Sequence, residues 1–160
     1  MTFVIRRAGP KDVPAILRLI RKLAEYERLL DHVEIDETRI RESFFAESPK
    51  AFCDIAEVAG DAVGYAIWFY SYSTFTGRHG IYLEDIYVEP EHRGAGIGKA
   101  FLGELARRCT DERLTRLEWS VLDWNQPSIG FYRALGAIPV DGWTRYRLDR
   151  DALAAVGAKL

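Results

Sequence analysis

The sequence predicts an α/β fold in which a mixed, mostly antiparallel sheet is flanked by helices. Three observations lead to this prediction: a strand followed by a helix at the start, three successive strand patterns mid-chain, and a glycine-rich turn that opens a later helix. The 160 residues correspond to about one average domain. We therefore expect a single domain over residues 1–160.

The order of the elements follows from apolar spacing and from turn residues. The spacing alternates in strands, recurs at three and four residues in helices, and is interrupted by glycine and proline. The predicted elements, in chain order, are a strand over 3–7, a helix opened by Gly9-Pro10, a short helix over 36–45, strands over 51–58, 62–72 and 81–88, a helix over 97–109, a strand over 116–122, a helix over 126–135, a strand pair near 137–148 and an amphipathic tail over 151–160.

Composition and charge exclude several classes of protein. The chain is 48% hydrophobic and 29% charged, with a formal net charge of −2 and no long basic run, which argues against a dedicated nucleic-acid or anionic-membrane binder. The longest apolar run, residues 62–70, is far shorter than the ~20 residues that span a bilayer. Arg6-Arg7 lies where a signal peptide needs an apolar core, so we expect a cytoplasmic protein.

Cysteine and histidine usage predicts neither a disulfide framework nor a metal site. Cys53 and Cys109 lie far apart within apolar patterns and are expected to be reduced and buried. His32, His79 and His92 fall in separate loops without a repeated ligand spacing. A small, diffusing partner is therefore expected, with no metal.

The most specific feature is a glycine turn that follows the strand over 81–88 and opens a helix. Without side chains at Gly94, Gly96 and Gly98, backbone N–H groups can converge on a phosphate, and the helix N-terminus adds about half a positive charge there. Arg93 and Lys99 are expected to neutralise the remaining charge. The spacing fits neither a Walker loop nor a dinucleotide fingerprint, and a merely tight turn is the alternative.

The turn Arg93-Gly94-Ala95-Gly96-Ile97-Gly98 resembles the R/Q-x-x-G-x-G/A coenzyme A signature of the GNAT acetyltransferase superfamily. Tyr82-Leu83-Glu84-Asp85 and Asp123-Trp124-Asn125-Gln126 are similar to the diamine (spermidine/spermine) acetyltransferase family. Within it, residues 70–75 and 121–126 most resemble the thialysine Nε-acetyltransferase branch. The resemblance covers nearly the whole chain and implies the GNAT fold, acetyl-coenzyme A as co-substrate and a homodimer.

Coenzyme A contacts are expected from three segments. Backbone amides at the end of the third middle strand need partners where the sheet splays, so they should bind the pantetheine arm as an added strand. By resemblance, Asn125 contacts the coenzyme, although capping its helix is a sufficient role for an asparagine. The expected coenzyme residues are Ile86, Tyr87, Val88, Arg93, Gly94, Ala95, Gly96, Ile97, Gly98, Lys99, Asn125 and Tyr132.

Acetyl transfer to an alkyl amine needs proton transfer at two points. The ammonium must lose a proton before it attacks, and the resemblance implies Glu84 at the acceptor, acting through a water or only holding the ammonium by charge. Under simple alternation Glu84 shares a face with Tyr82, Ile86 and Val88, while Asp85 points the other way unless a bulge intervenes. The resemblance assigns the proton for the leaving thiolate to Tyr132, with packing as its alternative role.

The acceptor is expected to be a thialysine-like amino acid or a short diamine. The resemblance implies Tyr26, Glu27 and Glu84 in its pocket. Ser73 and Thr74, with Leu122 and Asp123, stand in place of a more acidic polyamine lining. The alternatives are a polyamine acetyltransferase, a protein N-acetyltransferase and a catalytically silent acyl-coenzyme A sensor; the presence of both Glu84 and Tyr132 favours an enzyme.

Overall fold

The computed structural model describes residues 2–158, which divide into two compact units. The first ends at Ser120 and the second begins at Val121. The first unit contains β1 (Val4–Arg7), α1 (Val13–Tyr26), α2 (Glu37–Phe44), β2 (Phe52–Val58), β3 (Asp61–Ser73), β4 (Arg78–Val88), α3 (Ile97–Asp111) and β5 (Leu117–Trp119). The second contains α4 (Gln126–Ala134) and α5 (Arg150–Gly157).

The sheet of the first unit is mixed and mostly antiparallel, as the sequence predicts. Its strands lie in the order β1-β2-β3-β4-β5; only the β4–β5 pair is parallel. The β2–β3 hairpin turns at Ala59 and Gly60, whose φ values of 51° and 94° lie in the left-handed region. Two such residues suit the tight turn between twisted strands. The strands predicted over 51–58 and 62–72 are thus confirmed, and they pair as neighbours.

Helices cover both faces of this sheet. On one face, residues of α1 and α2 share a buried cluster with Tyr65, Ile67 and Tyr87 of β3 and β4. Neighbouring strand residues point to opposite faces, so Gly64 belongs to the other face. A Cβ added at Gly64 would lie 3.4 Å from Phe101 of α3, which places α3 on that second face.

The start of α1 is held to the sheet by an ion-pair network. The Arg6 guanidinium donates to both carboxylate oxygens of Asp12, at 2.8 and 2.9 Å, and also to Glu57 of β2. The backbone N–H of Gly9 donates to Asp12 at 2.7 Å. These hydrogen bonds hold the pKa of Asp12 below its usual value, chiefly through Arg6 and against the opposing effect of burial.

The predicted strand pair near 137–148 is wrong for this structure. Within the described residues 137–149 no strand forms, and the apolar side chains that alternation would have buried are exposed. They include Ile138, Val140, Trp143, Tyr146 and Leu148. The physical reason is that a strand needs a neighbouring backbone to accept its hydrogen bonds, and this segment pairs with none in the single chain.

The cysteine prediction is confirmed: Cys53 and Cys109 are both buried and free. Among the described helices, none combines the length and the apolar character required to cross a membrane.

Candidate active site

The sheet opens at the middle of β4, where its two neighbouring strands differ in length. On one side β4 pairs with β3 as far as Val88; on the other it pairs with β5 only from Ile81 to Leu83. Within the part of the chain that the structure describes, residues 84–88 therefore have no strand neighbour on the β5 side. Backbone groups of Ile86, Tyr87 and Val88 lie along this stretch, which suits an added extended chain.

The glycine turn begins α3 in a form that suits an anion. Gly94 and Gly96 have φ values of 77° and 89°, a left-handed conformation that glycine adopts without strain. Gly96 is the N-cap of α3 and no side chain caps the helix there. The first backbone bond of the helix runs from the N–H of Ala100 to Gly96, so the N–H groups of residues 97–99 have no partner within the helix.

This geometry fits the pyrophosphate of a coenzyme A group. A Cβ added at Gly94 or Gly96 would meet nothing within 4 Å. Glycine is therefore required at these two positions by the backbone conformation and not by packing inside the chain. Three N–H groups and the helix dipole point into the space before α3. The residues that would hold the group are Gly94, Ala95, Gly96, Ile97, Gly98 and Lys99.

The Arg93 side chain lies against the end of β4 and against two aromatic rings. Its Nε donates to the carbonyl of Val88 at 2.9 Å, and its guanidinium lies 5.4 Å from the ring centre of Tyr26 and 5.6 Å from that of Tyr87. The side chain thus links the end of β4 to the end of α1. Lys99 is exposed in the first turn of α3.

Glu89 anchors the beginning of the turn to α1. It is buried and accepts hydrogen bonds from Arg18 and Lys22. Burial raises its pKa, but these hydrogen bonds outweigh burial and the pKa lies below the usual value. Ligand atoms of Glu89, Glu91 and His92 lie within 4.8 Å of one another. Since Glu89 already neutralises two cations, we assign no metal there.

A β-bulge at Glu84 interrupts the alternation of faces that the sequence predicts for this strand. Asp85 pairs with Ile67 while Leu83 pairs with Trp68, so one extra residue is inserted between them. Tyr82 pairs with Phe69, on the same face as Ile67. Asp85 therefore shares that face with Tyr82, whereas Ile86 pairs with Ala66 on the opposite one. The prediction that Glu84, Tyr82, Ile86 and Val88 share a face is wrong.

The bulge brings three carboxylates into electrostatic contact. Glu84 is exposed, Asp85 is half-buried, and Glu27 is the half-buried C-cap of α1. Burial, followed by the charges of Glu84 and Glu27, raises the pKa of Asp85 to about 6. Burial also raises the pKa of Glu27. Asp85 thus joins the predicted pair Glu27 and Glu84. Simple alternation places Asp85 on the opposite face of the strand from Glu84.

Ser73 and Thr74 lie far from this acidic group in the same chain. Ser73 is six residues beyond Ile67 on β3, which at about 3.3 Å per residue is about 20 Å from the bulge. Ser73 is buried, and its hydroxyl accepts from the N–H of Thr76 at 3.4 Å; Thr74 is exposed. One chain does not bring these hydroxyl groups to Glu84.

The remaining predicted residues belong to the second unit. Asn125 is buried and caps α4, its side chain accepting from the N–H of Ser128 at 3.3 Å; the capping role is confirmed. Tyr132 is half-buried in the last turns of α4, with its ring centre 5.3 Å from that of Phe131. Leu122 is half-buried and accepts a backbone bond from Asn125, and Asp123 is exposed.

Sequence reasoning missed Tyr65, which is fully buried on the same face as Asp85. In the sequence, a tyrosine within an apolar run predicts only a packed side chain and no functional role. Its position next to the acidic group depends on strand register, which the order of residues alone does not reveal.

An open sheet beside a helix that begins on a glycine turn defines the class of acyl-coenzyme A-dependent N-acyltransferases. The sequence pattern of the acetyltransferase (GNAT) family matches residues 15–137, and the chain belongs to this family. It is an acetyl-coenzyme A-dependent N-acetyltransferase.

Individual relatives agree with this assignment. Thialysine N-epsilon-acetyltransferase of Bos taurus is 42% identical over 171 residues, covering 99% of this chain and 100% of the relative. Spermidine/spermine N(1)-acetyltransferase-like protein 1 of Homo sapiens is 35% identical over 94% of this chain and 23% of its own length. An integron cassette protein from V. cholerae shares the fold, with a TM-score of 0.81 at 20% identity over 98% of both chains.

Proposed function

We propose that this enzyme transfers the acetyl group of acetyl-coenzyme A directly to a primary amine of a small molecule, either a thialysine-like amino acid or a short diamine. The observation on which this rests is the grouping of Glu27, Glu84 and Asp85 beside the unpaired stretch of β4. Such a group attracts an ammonium ion. The name of the 42% identical relative supports an amino-acid-like acceptor.

In this proposal the coenzyme is held by backbone groups more than by side chains. Acetyl-coenzyme A supplies a thioester whose carbonyl carbon accepts the amine. The turn over 93–99 binds the pyrophosphate, residues 86–88 bind the pantetheine arm as a strand would, and Asn125 adds a contact while it caps α4. A single N-acetyltransferase domain over residues 1–160 belongs to this proposal, supported by a family match that spans both units.

Two side chains are proposed to handle the protons of the reaction. Glu84 holds the ammonium by charge or draws a proton from it through a water, and Tyr132 gives a proton to the departing thiolate. An alkyl ammonium holds its proton at neutral pH, so the transfer depends on a local environment that favours the neutral amine.

We also propose a homodimer. Ser73 and Thr74 lie about 20 Å along β3 from the acidic group of their own chain, at ~3.3 Å per residue. They therefore contact an acceptor only at the acidic group of a second copy. Large apolar side chains of residues 138–148 are exposed in the single chain, and such a surface favours association. Tyr26, Leu122 and Asp123 complete the proposed acceptor contacts.

A turnover panel tests the acceptor. The panel contains thialysine, lysine, ornithine, putrescine, spermidine, spermine and an acceptor peptide, with detection of free thiol. A polyamine carries several charges that need spaced carboxylates, so we expect thialysine or a short diamine to give a higher kcat/KM than spermine. A preference for spermine over every short amine would refute this acceptor, and a preference for the peptide would indicate a protein acetyltransferase.

We propose a cytoplasmic location as well, because two free, buried cysteines suit a reducing compartment. Cell fractionation with a detection tag tests it, and recovery with secreted proteins would refute it.

A further inference from the structure

The bulge in β4 places the Asp85 side chain on the face of the sheet that α1 covers. In a regular strand, residue 85 would point to the opposite face from residue 82. Asp85 pairs with Ile67, and Tyr87 pairs with Tyr65. All four side chains therefore point to the face that α1 covers. Glu27, at the C-terminal end of α1, acts on both Asp85 and Tyr65 electrostatically. A carboxylate, a second carboxylate and a phenol thus converge on one place between α1 and the sheet.

The hydroxyl of Tyr65 indicates that something polar is bound there. Tyr65 is fully buried, and within the described residues its hydroxyl has no hydrogen-bond partner. A buried hydroxyl without a partner costs about 1–3 kcal/mol, so native proteins rarely retain one unless a ligand or a water satisfies it. A ligand that donates hydrogen bonds and carries positive charge would satisfy this hydroxyl and both carboxylates together.

The titratable groups that act on Asp85 and Tyr65 are acidic, and two cations, Arg93 and Lys22, act on the neighbouring Tyr87. Tyr65 faces Asp85, Glu27, Tyr87 and Cys53; burial is the largest cause that raises the pKa of Tyr65, Tyr87 and Cys53, which leaves them neutral at ordinary pH. The charged groups acting on Asp85 are Glu84 and Glu27. With a pKa of about 6, Asp85 is ionised at neutral pH and yet more basic than an ordinary carboxylate.

We propose that Asp85 is the group that takes the proton from the acceptor ammonium, while Glu27 and the Tyr65 hydroxyl hold that ammonium in place. This assignment rests on the proposed function and deepens it, because it moves the proton from Glu84 to its neighbour. Glu84, which is exposed at the bulge, then contributes its negative charge.

A carboxylate oxygen of Asp85 accepts one proton from the ammonium. The freed nitrogen lone pair forms a bond to the acetyl carbonyl carbon, and the carbon–sulfur bond of the thioester breaks. The nitrogen loses a second proton, the equivalent of which ends on the coenzyme A sulfur. The products are an N-substituted acetamide and a thiol, and Asp85 returns its proton to water.

Substitution of the two neighbouring acids tests the assignment. With the best amine of the panel, Asp85→Asn should lower kcat/KM by about 100-fold, the size expected for loss of general-base catalysis, and Glu84→Gln by less than about tenfold. Asp61→Asn, at an exposed position at the start of β3, is the matched control and should match wild type. Thermal unfolding verifies that each variant is folded.

The pH profile separates a proton acceptor from a residue that only supports the fold. The acid limb of kcat/KM should lie near pH 6 in the wild-type enzyme, following the pKa of about 6. Glu27→Gln removes a like charge, which favours ionised Asp85, so the limb should move to lower pH. This second variant decides the matter even if Asp85→Asn does not fold.

The outcomes distinguish this inference from the function on which it rests. Turnover that survives in Asp85→Asn but is lost in Glu84→Gln, or an acid limb that Glu27→Gln leaves unmoved, would overturn Asp85 as the proton acceptor while leaving the acetyltransferase intact. Absence of turnover by the wild-type enzyme with every amine of the panel would overturn the proposed function, and this inference with it.

Discussion

The proposed pyrophosphate site depends on Gly96, which precedes the first turn of α3. Its φ of 89° is unfavourable for any β-branched residue, so Gly96→Val should distort the N–H groups that follow it. We expect the Kd for acetyl-coenzyme A, measured by calorimetry, to rise at least about tenfold, which is about 1.4 kcal/mol.

Gly103→Val provides the matched control for that change. Gly103 lies exposed within α3 and a Cβ there meets nothing within 4 Å. The same side chain is added in the same helix, where valine is more favourable than glycine, so the Kd should stay unchanged. Equal affinities for both variants would mean that the turn does not bind the coenzyme.

Tyr132 offers a test of the proposed proton donor. Tyr132→Phe removes one hydroxyl and keeps the ring that lies against Phe131, so acetyl-coenzyme A should still bind. Turnover should fall about 100-fold, since general acid catalysis commonly contributes that much. Tyr70→Phe, which removes a hydroxyl that donates to Glu112 at the surface, is the control. If Tyr132→Phe turns over within about threefold of wild type with chemistry rate-limiting, Tyr132 only packs.

At the scale of elements, local signals were sufficient for the strand, the glycine turn and the helix that follow one another over residues 81–111. Gly94 and Gly96 act within a few residues of themselves, as Asn125 does at the start of α4, so their places in the chain predict their roles. The bulge at Glu84 could not be predicted this way, because it exists only in the register between β3 and β4. The placement of Asp85 therefore had to come from the structure.

The attachment of α1 to β1 and β2 depends on the Arg6–Asp12 ion pair, which a substitution tests. Asp12→Asn removes the charge that Arg6 meets and should lower the free energy of unfolding at neutral pH by about 1–3 kcal/mol. The folded-state pKa of Asp12 lies below its usual value, so the stabilisation is complete above the unfolded pKa and is lost as pH falls through the folded one. Denaturation at several pH values should show the gap between wild type and variant closing in acid.

Asp111→Asn is the control for this ion pair. Asp111 pairs with Arg107 at 2.9 Å, but both side chains are more than half exposed, and such surface pairs contribute little. The unfolding curve should hardly change. If Asp12→Asn behaves in the same way, the Arg6 network does not hold α1 to the sheet.

At the scale of the whole molecule, residues 137–149 explain why the sequence predicted strands that one chain does not form. Alternation at Ile138 and Val140 indicates which side chains need burial, yet it cannot say which backbone will pair with theirs. That information is absent from a single sequence whenever the neighbour belongs to another molecule. The exposed apolar side chains are 82% accessible at Ile138 and 81% at Trp143, and such a surface favours association with another chain.

The last prediction follows from that surface. If a second copy covers it, light scattering should give a mass of twice 18.3 kDa for the wild-type protein. Val140→Lys combined with Trp143→Ser places a charge in the covered surface and removes its largest side chain, so this variant should be monomeric. Val4→Ser, at an apolar residue 57% exposed on β1, should remain dimeric. A wild-type monomer at micromolar concentration, or an unchanged mass for the double variant, would contradict the proposed dimer.

If the dimer also brings Ser73 and Thr74 to the acceptor, the monomeric variant should lose turnover while its affinity for acetyl-coenzyme A persists, because the glycine turn and the unpaired stretch of β4 lie within the first unit of one chain.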